Sequence, residues 1–180
     1  AEDWNRRIAG EAFPFWGNTR DEIRPYLTRR RFRHHGPGEI PERRFCELRV
    51  RRTQPVWKLA YVGSVGSQVL LGLPRVWALR QALGDGSAIW PFETGLADAP
   101  EAAVVFAEIY PSLVPPADVG DLPKDAGQVV AITERYAELD AAGRLSDLFA
   151  ADPGLTEAER RIVGEEEAWI LGVTDGPWVG

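Results

Sequence analysis

Hydrophobic and polar positions change period several times along the chain. Residues 104–110, Val-Val-Phe-Ala-Glu-Ile-Tyr, form an apolar run broken only by Glu108. Strand side chains alternate faces, so Val104, Phe106, Glu108 and Tyr110 share one face and Val105, Ala107 and Ile109 the other. Both faces are apolar, the pattern of a strand covered on both sides, which predicts Glu108 as an acid inside a core. A carboxylate there needs a cation, a hydrogen-bond donor or the open end of a sheet. A structural pair with an arginine and a functional acid are both open readings. Residues 87–92 predict a second short strand, with Glu93 and Thr94 at its end. Pro111 and Pro115-Pro116 stop the first run, and Pro123 suits the opening of a helix. Val129, Val130, Ile132, Tyr136 and Leu139 carry that helix to about residue 140. Its first turn groups Lys124, Asp125 and Gln128 at three- and four-residue spacing, facing back toward the strand end. An aspartate in a first turn is also favoured by the helix dipole with no further role.

Elsewhere the pattern predicts a helix end at residues 4–9, closed by Gly10. An aromatic turn follows at 13–17, read as a core plug in preference to a base-stacking platform, and then a short helix to about Leu27, capped by Asn18 or Thr19. Residues 42–52 have no clear period, and both strand and helix stay open there. An apolar segment at 69–73 follows a glycine-serine loop, and Pro74 starts a second helical piece to about Leu83. Leu145, Leu148 and Phe149 form an apolar turn. Thr156 caps a last helix running through Glu165-Glu166-Glu167 into 168–171 and stopping at Gly172. The expectation is one helix-rich α/β domain over 1–180, whole or a fragment. At least two adjacent strands are flanked by helices, and the helix from Pro123 packs against them.

Charge divides this domain. Residues 1–60 hold 14 Lys+Arg and 8 Asp+Glu, a net +6, whereas 61–180 hold 7 and 19, a net −12. The first is a basic helical and loop segment; the second is an acidic α/β part with the candidate acids. Arg29, Arg30, Arg31 and Arg33 form the densest cationic run, fit either to hold phosphate or to pair with acids of the same domain. His34 and His35 are adjacent and lack the helical spacing of paired metal ligands. Ser64, Gly66 and Ser67 precede a helix and can present N–H groups to a phosphate, or let backbones pack closely. The loop lacks the Gly-Lys-Ser/Thr ending of a nucleotide P-loop. A single cysteine, Cys46, forms no internal disulfide, and no apolar run reaches membrane length. The expectation is a cytoplasmic protein with no membrane partner.

Several stretches together, IWPFET, AEIYPSL, KDAGQV and EEEAWILGV, with NRRI, FPFWG and GSVGSQVLLGLP upstream, resemble a group of uncharacterised bacterial proteins. That group is similar to predicted nucleases of ribonuclease H-like fold, and some of its members are loosely labelled as cofactor-biosynthesis proteins. The resemblance covers nearly the whole chain. It implies an incomplete ribonuclease H-like core in which acids from the first strand, the fourth strand and the last helix hold divalent metal. Glu108 matches the fourth-strand acid and Asp125 the helical one, and Glu93 is a further candidate ligand. The family's first strand, ending in an aspartate, would precede Asn5-Arg6-Arg7-Ile8 and has no counterpart here. This and the absence of methionine suggest an N-terminally truncated piece of a longer protein.

Two functions follow as expectations. One is a Mg²⁺- or Mn²⁺-dependent phosphodiester hydrolase, nuclease-like, with Glu108 and Asp125 catalytic, Lys124 and Gln128 supporting, and no turnover in the truncated chain. The other is a non-catalytic phosphate-, small-anion- or ligand-binding domain linked to cofactor metabolism, in which the glycine-serine loop and the arginines bind a phosphorylated ligand and the acids are structural. A nucleic acid, if bound, is held non-specifically by Arg29, Arg30, Arg31 and Arg33. The sequence sets neither the substrate nor the oligomeric state.

Overall fold

A computed structural model describes residues 1–99 and 101–175. The chain forms two compact units, Ala1–Gln81 and Ala82–Gly180. Among the described residues no helix is long and apolar enough to cross a membrane.

The first unit is built on loops around an aromatic centre. Helix α1 (Glu2–Ile8) ends before Gly10, whose φ of +68° is the left-handed cap the sequence predicts. Asn5 is fully buried; its amide donates to the carbonyls of Phe15 (2.8 Å) and Tyr26 (2.6 Å), and its Oδ1 accepts from the Phe15 N–H (2.8 Å). These bonds tie α1 to the aromatic turn, where Phe13 and Phe15 are buried and Phe15 meets Trp57 edge-on at 5.0 Å. The turn is the core plug that its composition suggests. Trp16 and Lys58 form an isolated parallel bridge, with Trp16 N–H donating to Trp57 and Leu59 N–H to Trp16, both at 3.0 Å.

No helix forms between Asn18 and Leu27. The Asn18 side chain instead closes a turn, accepting from the Arg20 N–H and donating to the Glu22 carbonyl, each at 3.0 Å; such bonds let Asn compete with helix. Within residues 42–52 a short helix, α2 (Phe45–Arg49), is fixed by reciprocal bonding between Arg44 and Glu47. Helix α3 (Gly66–Leu83) is one continuous helix with Pro74 inside it, not two pieces. Its apolar residues lie all round its axis, and Leu71, Leu73, Trp77, Leu79 and Leu83 are exposed.

The second unit carries the sheet. Strands β1 (Ser87–Ile89) and β2 (Val104–Phe106) pair in parallel, Ser87 opposite Val104 and Ile89 opposite Phe106. Both are shorter than the sequence predicts. Helix α4 (Lys124–Ala141) starts after Pro123 as expected and buries Ala131, Ile132 and Leu139. The core gathers Trp90, Leu148, Phe149, Val163, Trp169 and Ile170. Trp90 meets Phe149 at 88° and donates to its carbonyl at 3.2 Å.

Thr156 and Glu159 form the capping box of α5 (Glu157–Ile162). That helix does not continue to Leu171. It widens into one π-type turn, Val163–Glu167, and breaks at Ala168 (φ 59°, ψ −172°). Beyond the break, Ile170 bridges Glu108 in parallel, and Leu171 N–H donates to the Glu108 carbonyl at 2.9 Å. Burying Trp169 and Ile170 beside the sheet overrides the helical pattern. The architecture is mixed α/β, with a two-stranded parallel sheet.

Candidate functional site

Glu93 and Glu108 both lie beyond the carboxyl ends of adjacent parallel strands, where ligands bind in open α/β sheets. Glu93 folds back on β1: its N–H donates to the Ile89 carbonyl at 2.9 Å and its Oε2 accepts from the Ile89 N–H at 2.7 Å. The ladder to β2 uses the Trp90 N–H, bonded to Phe106 at 3.0 Å, so by alternation the Ile89 N–H points away from β2. The Glu93 carboxylate therefore fills a hydrogen-bonding position on the outer edge of the sheet.

Glu108 is exposed, which corrects the expectation of an acid in the core. The ladder ends at Phe106, and even Val104 is 38% exposed. A sheet of two three-residue strands cannot cover both faces of a seven-residue run, so the apolar pattern overstated its burial. Asp125 is also exposed, in the first turn of α4. Gln128 does reach back toward the strand: its Nε2 donates to Ser112 Oγ at 3.0 Å, in the 3₁₀ turn Pro111–Leu113 that follows β2. The Lys124 side chain lies outside the described residues. Gly127 explains how α4 is seated. Ala117 N–H donates to its carbonyl at 3.0 Å, and a Cβ there would come within 2.4 Å of the Ala117 oxygen.

Among the described residues no three His, Cys, Asp or Glu side chains gather into a group that could hold a metal ion. Glu93 has one carboxylate oxygen on a backbone donor, and Glu108, Asp125 and Glu93 do not form such a group of three. No chemical step is derived through a metal ion.

The basic run is engaged internally. Arg29 pairs with Asp21 at 2.6 Å, Arg31 with Glu42, and Arg33 with both Glu11 (2.6 Å) and Glu39 (2.7 Å). Arg33 also lies 3.8 Å over the Phe13 ring. Its bond to Glu39 raises the guanidinium further, and the same bond, with the Gly36 N–H, holds the Glu39 carboxyl below its ordinary range. Arg30 alone of the four is exposed and forms no ion pair among the described residues.

All eight carboxylates of residues 1–81 are ion-paired: Glu2 and Glu22 to Arg24, Asp3 to Arg6, Glu47 to Arg44, and the four above. The same segment holds 16 Lys+Arg, a net +8, against −14 for residues 82–180. Among the described residues Arg20, Arg30, Arg51, Arg52 and Arg75 have no acid partner, and Arg43 and Lys58 bond only neutral oxygens.

The glycine-serine loop is a packing device. Gly66 is buried, its N–H donates to the Lys58 carbonyl at 3.0 Å, and a Cβ there would sit 2.0 Å from the Val56 oxygen. Its N–H is therefore not available to a phosphate. Ser64 N–H donates to Tyr61 at 3.0 Å, and Ser67 Oγ bonds Gln68 at 3.1 Å.

Two features escape a reading by motif, the Asn5 lock and a stack of Tyr61 on Trp16, with centroids 6.4 Å apart and planes at 27°. The recurrence of aromatics at 13, 15, 16, 57 and 61 was the available signal for the second. No protein-family model, curated protein or solved structure matches this chain.

Proposed function

We propose that this chain is a non-catalytic domain that binds a phosphate-bearing polyanion through its first unit. One observation carries the reading: every carboxylate of residues 1–81 already has a cation, yet Arg20, Arg30, Arg51, Arg52 and Arg75 are left over. Surplus cations whose unit has no acid left to offer attract phosphates and release counterions on binding. The binding residues are then Arg30 and its unpaired companions, while Arg29, Arg31 and Arg33 hold the fold. The cytoplasm is the compartment in which such a ligand and a lone cysteine agree.

Titration of the full chain with inorganic polyphosphate at several salt concentrations tests this. Affinity falls steeply with salt, and Arg30→Ala combined with Arg51→Ala and Arg52→Ala lowers both affinity and salt slope. Binding indifferent to salt and to this triple variant would sink the reading.

A second reading, phosphodiester hydrolysis on a ribonuclease H-like core, is supported by Glu93 and Glu108 at the carboxyl end of the parallel pair. Its test is a thermal-shift titration with Mg²⁺ and Mn²⁺. Stabilisation that disappears in both Glu108→Gln and Asp125→Asn supports it, and an unmoved midpoint removes it.

A further inference from the structure

Tyr61 has a φ of +77°, a left-handed backbone that bulky side chains avoid. It is held in a loop whose neighbours are open, Val62 being 96% exposed and Gly63 also left-handed at +77°. The Tyr61 ring is stacked on Trp16 while 51% of the residue remains exposed. Arg31 lies 6.0 Å over the Trp16 ring, and the exposed Phe32 adjoins it in the chain. Lys58, bridged to Trp16 through the backbone, holds its ammonium on neutral oxygens, Val62 O at 2.7 Å and Gln54 Oε1 at 3.2 Å. Among the described residues no carboxylate pairs with it.

We infer that Tyr61 on Trp16 is a stacking platform for the bases of a single-stranded nucleic acid, with Lys58 and the unpaired arginines following its phosphates; this rests on the polyanion reading above. A half-exposed ring beside an ammonium that carries no ion pair, on a unit with surplus arginines, is what sequence-tolerant single-strand binding requires. A duplex keeps its base faces inside the stack and offers this ring nothing. Inorganic polyphosphate has no ring and uses only the cations.

The test compares three probes on the full chain by fluorescence anisotropy and competition. They are a labelled oligothymidylate of about 15 nucleotides, within the range one such surface covers, its duplex with oligoadenylate, and inorganic polyphosphate. The single strand binds more tightly than the duplex. Tyr61→Gly, which removes the ring and suits the left-handed backbone so that the fold is kept, weakens single-strand binding roughly five- to hundred-fold. The same variant leaves polyphosphate affinity and the salt slope unchanged, and Tyr61→Trp restores single-strand binding. Equal affinity for strand and duplex, or a Tyr61→Gly chain that binds the strand like the parent while polyphosphate still binds, overturns the platform and leaves the polyanion reading standing. Absence of salt-dependent polyphosphate binding overturns both.

Discussion

Replacing Asn5 by alanine removes three hydrogen bonds at a position with no exposed surface. The Phe15 N–H and the carbonyls of Phe15 and Tyr26 lose their partner together. A buried polar group left unsatisfied costs about 1–3 kcal/mol, with a carbonyl at the lower end, so the truncation should cost about 3–5 kcal/mol. A unit of this size is worth roughly 4–12 kcal/mol in total, so the loss approaches its whole stability at the low end. Urea denaturation reads the change. With a slope of about 2 kcal/mol/M the midpoint should fall by about 2 M. Amide hydrogen exchange adds a local readout, since the Phe15 N–H should lose its protection. A midpoint within about 0.3 M of the parent, with the Phe15 amide still protected, would show that water replaces the side chain and that the dry-lock argument is wrong.

Gly66→Ala should destabilise by more than about 1–3 kcal/mol, because the added carbon meets two backbone oxygens, although alanine is the better helix former by about 1 kcal/mol. A thermal midpoint equal to or above the parent would return the glycine to its phosphate-binding reading. Ala168→Gly should stabilise the second unit by up to about 1–2 kcal/mol, since φ 59° with ψ −172° is a region that glycine alone enters freely. An unchanged or lowered midpoint contradicts that account. Glu39, with its carboxyl held below 4.5 by Arg33 and the Gly36 N–H, contributes stability that is complete above 4.5 and lost as pH falls through the depressed folded value. The midpoint of Glu39→Gln should therefore be lower near neutral pH and should decline less between pH 4.5 and acid; curves that stay parallel would refute it.

Local chemistry was the legible part of the sequence. Gly10 as a left-handed cap, Pro123 before α4 and Thr156 as the cap of the last helix each depend on a few neighbouring residues, and the structure has all of them. What failed depends on distant partners. The apolar run 104–110 reads as buried only if something covers both faces, yet β2 stops at Phe106 and Glu108 is exposed. The Glu165–Glu167 stretch has helical composition, but the core draws Trp169 and Ile170 out of helix to reach the sheet. Of the candidate site, the proximity of Gln128 to the turn after β2 was readable from helical spacing. That the basic run pairs within its own domain was one of two readings open in the sequence; which acids it meets was not legible, because Asp21, Glu42, Glu11 and Glu39 reach Arg29, Arg31 and Arg33 only through loop geometry.

The carboxylate of Glu93 on the Ile89 N–H has a meaning apart from any chemistry at the strand ends. A strand of three residues with a free flank is a template on which another chain can lengthen the sheet, and such growth leads to aggregation. The outward donor at Ile89 is where an incoming strand would make its first bond. A side chain from the same turn occupies it, and it carries a charge that an incoming backbone carbonyl would have to displace. The acid of this sheet thus stands at the position where a third strand would begin.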